Sequence, residues 1–157
     1  KEYAALTKAE DFLDLYCGTG TIGLSMANDA KSLIGVEIIP DAIEDAKLNA
    51  KLNNIDNAEF ICGDAKDAIK ELQQRNITPK VVILDPPRKG CNEELLKTVS
   101  EMNPERIVYV SCNPETLARD AAIFKALGYE TTEVFPFDLF PCTGHVESLT
   151  CLTRQTG

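Results

Sequence analysis

The chain has 157 residues, 44% of them hydrophobic and 26% charged, a profile that suits one soluble domain with a full core. Its formal net charge of −9 excludes a protein that grips nucleic acid by bulk electrostatics, though not one that holds it in a local groove. No apolar run approaches the roughly 18 residues of a membrane span and no secretory h-region is present, so a cytoplasmic protein without a membrane partner is expected.

The chain opens on Lys1 rather than Met and its first strand comes almost at once, so a domain of a longer protein is expected. Residues 3–9 read as the tail of a helix. Phe12-Leu13-Asp14-Leu15-Tyr16 is a short apolar strand, followed directly by Gly18-Thr19-Gly20-Thr21-Ile22-Gly23. A helix is predicted over 21–28 and a second strand over 32–36, with Glu37 at its carboxyl end. Pro40 opens a helix to about Asn54, with Ile43, Ala46 and Ala50 on one face. Strand 58–62 ends in Gly63-Asp64, and a helix over 65–74 follows. Strand 80–84 stops at Asp85-Pro86-Pro87-Arg88-Lys89-Gly90.

A helix over 93–102 leads to strand 106–110 and then to Cys112. The next helix carries Leu117, Ala121 and Phe124 on one face and ends at Gly128. Two closing strands, 130–135 and 146–152, flank a Pro- and Phe-rich loop. Strand and helix alternate through five units, which predicts an α/β, doubly wound, mostly parallel sheet. The last two strands have no helix between them and are expected to pair antiparallel at one edge. Six cysteines (Cys17, Cys62, Cys91, Cys112, Cys142, Cys151) show no C-x-x-C spacing, which favours reduced thiols and no metal.

Gly18-x-Gly20-x-x-Gly23 lies between a strand and a helix, where glycines let the backbone turn tightly beneath a nucleotide. Glu37 follows at the distance of an acid that holds a ribose hydroxyl pair. NAD is the ordinary ligand of such a loop. Against it, acids recur at successive strand ends: Asp14, Glu37, Asp64 and Asp85. That rim suits a cation without phosphate, and S-adenosylmethionine carries a sulfonium and an ammonium. Taken singly, each acid is equally a solvated loop residue or a helix cap, Asp64 above all.

Two prolines fix the backbone beyond Asp85, which then accepts hydrogen bonds from a planar base or an amino group. Arg88 suits a phosphate, and Lys89 is a solvated charge by default. Cys112 meets a helix-start signal: Asn113 as N-cap, Pro114 at the first position, Glu115 in the first turn. A sulfur beside a helix N-terminus is favoured as thiolate, although a free cysteine is more often a small core residue. In the final loop His145 is the single histidine. Glu147 begins an apolar strand, where a carboxylate needs a partner or serves as a general base.

These stretches resemble the RNA (uracil-5-)-methyltransferases, the family that makes 5-methyluridine in tRNA and rRNA. The matching residues are Asp14-Leu15-Tyr16-Cys17-Gly18-x-Gly20, Glu37 with Asn49 and Asn53, Asp85-Pro86-Pro87-Arg88-x-Gly90, Ser111-Cys112-Asn113-Pro114 and Phe140-Pro141-x-Thr143-x-His145-Val146-Glu147. The resemblance implies a Rossmann-like fold and transfer of a methyl group from S-adenosylmethionine, with S-adenosylhomocysteine as product. It implies Cys112 as nucleophile toward uracil C6, Glu147 as base for the C5 proton, and Tyr16, Glu37 and Asp85 as cofactor contacts. Gly18, Gly20 and Asp64 complete the expected cofactor set. Asp85 also steadies the uracil, and Arg88 meets the RNA, whether rRNA or tRNA.

The resemblance does not extend to the family's upstream cofactor-contacting Gln, its RNA-binding module or the iron–sulfur cysteines of some members. Transfer by these residues alone is therefore not expected, and a monomer is. Two alternatives stand beside this reading. A cytosine-5 RNA methyltransferase would typically carry a Cys in the motif occupied by Asp85-Pro86-Pro87. A cofactor-binding domain without activity of its own would bind the ligand and transfer nothing.

Overall fold

The computed structural model describes residues 1–139 and 141–155. Its centre is a seven-stranded sheet: β1 (Asp11–Leu15), β2 (Ser32–Glu37), β3 (Ala58–Cys62), β4 (Val81–Leu84), β5 (Arg106–Ser111), β6 (Tyr129–Phe137) and β7 (Glu147–Arg154). The strands lie in the order β3-β2-β1-β4-β5-β7-β6. All neighbouring pairs from β3 to β5 are parallel. The strand that runs against the others is β7, one place in from the edge, paired antiparallel with both β5 and β6. This agrees with the closing pair expected from the sequence.

Parallel strands covered on both faces are apolar throughout, and β4, with four consecutive buried residues Val81 to Leu84, is the plainest case. Side-chain alternation divides the core in two. Leu13, Leu15, Val82, Leu84, Ile107 and Tyr109 face helices α3 (Ala65–Gln74), α4 (Glu93–Glu101) and α5 (Pro114–Ala126). Phe12, Leu33, Val81, Ile83 and Val108 face the other way. There they meet α1 (Thr21–Met26), a 3-10 turn at Ala27–Asp29, α2 (Pro40–Leu52) and the first ten residues.

Helix starts obey capping chemistry. Asp64, Asn92 and Asn113 each accept a hydrogen bond from a first-turn amide of α3, α4 and α5. Residues 3–9 depart from expectation, forming turns rather than a helix. Ala5 sits at φ 43, in the left-handed region, which no continuing α-helix tolerates. Tyr3, Ala4 and Leu6 still pack on the second core, and Arg106 ties the segment down through Glu10 at 2.7 Å and the Ala4 carbonyl at 3.0 Å.

Candidate active site

The chain runs from β1 outward through β2 and β3 before returning to β4, so a crevice opens where β1 and β4 end side by side. A cleft of about 700 Å³ lies there, with Tyr16, Glu37, Asp64, Asp85, Lys89 and Arg119 among its lining residues. Four of the residues expected to hold the cofactor are thus brought together from the ends of four strands. The glycine loop turns beneath them: Gly20 sits at φ +82, open only to glycine without strain, and its amide donates to the Cys17 carbonyl at 2.8 Å.

Glu37 is held by three backbone amides, those of Gly18 at 3.2 Å, Ile38 at 2.7 Å and Ile39 at 3.0 Å. The carboxylate is therefore fixed in direction before any ligand arrives. Tyr16 adopts φ 65, a left-handed conformation costing a tyrosine about 1 kcal/mol or more, of the sort that clusters at binding sites. Asp64 caps α3 through the Lys66 amide at 2.9 Å and also lines the cleft.

Behind the loop, Asp14 is 1% exposed. Its Oδ2 accepts from the Gly23 amide at 2.9 Å, while its Oδ1 is buried with no partner among the described residues. Burial pushes the carboxyl up to about 7, and the Asp85 charge adds to the shift although the Gly23 amide opposes it. Burial raises Asp85 itself above the usual carboxylate range.

Cys112 and Glu147 do not line this cleft. Their relation follows from strand register. Ser111 of β5 faces Ser148 of β7 in an antiparallel pair. Cys112 follows Ser111 directly and Glu147 precedes Ser148, so the two come together at this end of the β5–β7 pair. Cys112 is half-buried rather than a core cysteine. Glu147 is raised by burial first and by the Asp85 charge second, and Asp85 follows β4, the strand next to β5.

The segment after Asp85 is tied to the Cys112 turn. The Arg88 carbonyl accepts from Asn113 Nδ2 at 3.2 Å and from Thr116 Oγ1 at 3.3 Å. The Arg88 guanidinium lies 3.1 Å from His145 Nδ1, and because arginine only donates, that ring nitrogen accepts. The β4 loop and the loop before β7 thus meet over the site. Phe140, part of the final motif, lies outside the described residues.

Sequence reasoning missed what holds the β4 loop. Asp120 is fully buried on α5 and gathers the Tyr109 hydroxyl at 2.5 Å, the Cys91 amide at 2.8 Å and the Arg119 Nε at 2.8 Å. Arg119 also donates to the carbonyls of Lys89 at 3.1 Å and Cys91 at 2.9 Å. Gly90, at φ +71, passes so close that a Cβ there would lie 2.7 Å from both Asp120 Oδ2 and Arg119 Nη2. The signal was present in part. Asp120 is three residues after Leu117 and four before Phe124, on the apolar face of its helix, where a carboxylate requires partners.

The chain matches the family model described as tRNA (uracil-5-)-methyltransferase over residues 3–155. It is 54% identical over 153 residues to an uncharacterized RNA methyltransferase of Clostridium acetobutylicum, covering 98% of this chain and 33% of that protein. A relative from Enterococcus faecalis, also an uncharacterized RNA methyltransferase, is 54% identical over 154 residues, covering 98% and 34%. The chain therefore spans about a third of the length of these relatives. Among solved structures, Pyrococcus abyssi tRNA (uracil-54, C5)-methyltransferase in complex with S-adenosyl-L-homocysteine superposes with a TM-score of 0.80 at 36% identity, over 97% of this chain and 36% of that one. The precorrin-6y C5,15-methyltransferase of Geobacter metallireducens, with a TM-score of 0.81 at 14% identity over 98% of this chain and 84% of that one, shares the fold alone.

Proposed function

The chain belongs to the tRNA (uracil-5-)-methyltransferase family, and from that premise we propose that it is the catalytic domain of an enzyme that methylates C5 of a uridine in tRNA or rRNA. The observation that supports this reading is the β5–β7 register, which brings Cys112 and Glu147 together at the strand ends beside the Asp85 end of β4. A thiol, a carboxylate of raised pKa and an adjoining acidic cleft are the groups that C5 methylation requires.

S-adenosylmethionine fits the cleft by charge. Its rim carries Glu37, Asp64 and Asp85, an arrangement that favours a cation and disfavours a pyrophosphate. Glu37 would hold the ribose hydroxyls, Tyr16 would pack against the ligand, and Gly18 and Gly20 would keep the floor free of side chains. When bound, the cofactor supplies an electrophilic methyl group on a sulfonium.

The residues of this chain supply the rest. Uracil C5 is a weak nucleophile until the Cys112 thiolate adds to C6, which converts the ring to an enolate with its charge delocalised onto C5 and O4. Asp85 accepts a hydrogen bond from the uracil N3–H and keeps the ring in place. Once C5 carries the methyl group, Glu147 takes the C5 proton, the C5–C6 double bond reforms and the Cys112 sulfur departs as thiolate. Burial and the Asp85 charge raise the affinity of Glu147 for that proton.

The test uses the full-length protein and unmodified tRNA and rRNA transcripts, with 5-methyluridine measured by mass spectrometry. The wild type is expected to form it and Cys112→Ala to form none while S-adenosylhomocysteine still binds. Normal turnover by a folded Cys112→Ala protein would remove the covalent mechanism, and 5-methylcytidine as the product would replace the substrate.

A further inference from the structure

The face of the sheet that carries Cys112 and Glu147 does not end with them. Phe137, the last residue of β6, pairs in register with Glu147. Cross-strand partners project from the same face, so Glu147 and Phe137 stand side by side, and with Cys112 just past the end of β5 they make a row of thiol, carboxylate and aromatic ring along one end of the sheet. Two strand spacings put Phe137 about 10 Å from Cys112. Two residues earlier on the same face, Phe135 is covered, its ring 4.9 Å from that of Tyr3. Phe137 has no aromatic partner among the described residues and is 44% exposed.

Phe135 packs on Tyr3 and Leu149 on the second core, whereas Phe137 beyond them is left at the surface beside Glu147. Single-stranded RNA offers a partner of fitting chemistry. Its bases splay from the stack and settle on aromatic side chains, and successive bases are separated by less than the span of the row. The target base occupies the Cys112–Glu147 half of the row. On the far side of Glu147 the next base meets the Phe137 ring. Arg88 and His145 bridge the neighbouring loops at 3.1 Å and place a cation near the backbone of the same strand.

We propose that Phe137 is a stacking platform for the nucleobase adjacent to the target uridine, so that this domain itself reads part of the single-stranded RNA around its substrate. The proposal rests on the uridine methylation argued above. Stacking adds binding rather than chemistry, so its loss belongs in the KM for RNA and not in kcat.

The experiment measures steady-state kinetics of the full-length protein on unmodified tRNA and rRNA transcripts. Phe137→Ala is expected to raise the KM for RNA on the order of tenfold, with kcat and the KM for S-adenosylmethionine unchanged. Phe137→Trp should restore binding, and Phe137→Leu, similar in bulk but without a π face, should not. A transcript with abasic sites flanking the target should bind Phe137→Ala and wild type alike. Restoration by Leu would show apolar packing instead and overturn the proposal, as would equal KM values for Phe137→Ala and an active wild type. A wild type that forms no 5-methyluridine on any transcript removes the methylation reading and this proposal together; an active wild type with an unaffected variant removes the proposal alone.

Discussion

Two carboxylates on the same face of the sheet serve opposite ends. Glu147 is only partly buried and is read as a base that acts after methyl transfer. In the full-length protein Glu147→Gln should therefore leave addition and transfer intact and block elimination. A methylated RNA–protein adduct should accumulate on denaturing gels, and the Cys112→Ala/Glu147→Gln double variant should form none. A folded Glu147→Gln protein that turns over normally would refute the assignment. Asp14 is wholly buried, and its effect is on stability. Its folded pKa of about 7 lies above the unfolded value near 3.8, so between those pH values the native state keeps a proton that the unfolded chain has lost. Stability from this group is thus fully present below the unfolded pKa and is lost as pH rises toward 7, at about 1.4 kcal/mol per pH unit. Asn is isosteric with the protonated acid and keeps the acceptor for the Gly23 amide. In urea denaturation of wild type and Asp14→Asn, the variant should gain on the wild type from pH 4 to 7 and hold a constant lead above. A difference that does not vary with pH would contradict the ionisation argument.

At the scale of elements, the β4 loop is shaped from the far side by α5. Gly90→Ala forces a side chain into a left-handed turn already filled by Asp120 and Arg119, and should destabilise by about 2 kcal/mol or more. Asp120→Ala leaves the Tyr109 hydroxyl and the Cys91 amide without their acceptor, for about 2–4 kcal/mol. Because both changes disturb one network, chemical denaturation of the double variant should show less than the sum, and additive losses would argue that the two act independently. Every strand was legible in the sequence to within a few residues, since continuous apolar runs closed by Gly, Pro or Asp have few other readings. The acids that line the cleft were legible for the same reason, each marking a strand end. The Asp120 network was not, because its partners Cys91 and Tyr109 become neighbours only when α5 docks. The approach of Cys112 to Glu147 at the strand ends was also hidden. They stand 35 positions apart, and nothing local says that β7 inserts between β5 and β6.

At the scale of the molecule, the cleft and the proposed RNA surface are served unequally. All cleft residues named above come from these 157 positions, and their supports are internal: three amides on Glu37, a cap on Asp64, the α5 network behind Lys89. For RNA the provision proposed above is one aromatic ring and one guanidinium. The domain carries a net charge of −9 against a polyanion, and the relatives it matches are about three times as long. Ligand binding and RNA turnover should therefore separate. For residues 1–157 alone, S-adenosylhomocysteine at a hundred times its Kd should add about 2.7 kcal/mol to stability, raising Tm by roughly 5–10 °C. Removing the Glu37 hydrogen bonds with Glu37→Ala should cost on the order of 1.5–3 kcal/mol of binding, so at the same ligand concentration most of that shift disappears. Methylation of RNA by the same fragment should be weak or absent even with the cofactor saturating, because the missing term is the encounter with RNA and not the chemistry. Lowering the ionic strength should not rescue it, since less screening strengthens repulsion between like charges. Thermal denaturation with and without ligand, beside turnover at two salt concentrations, checks both halves. Absence of any thermal shift would count against the cleft as the cofactor site. Turnover equal to that of the full-length protein would show that the 157 residues hold RNA unaided.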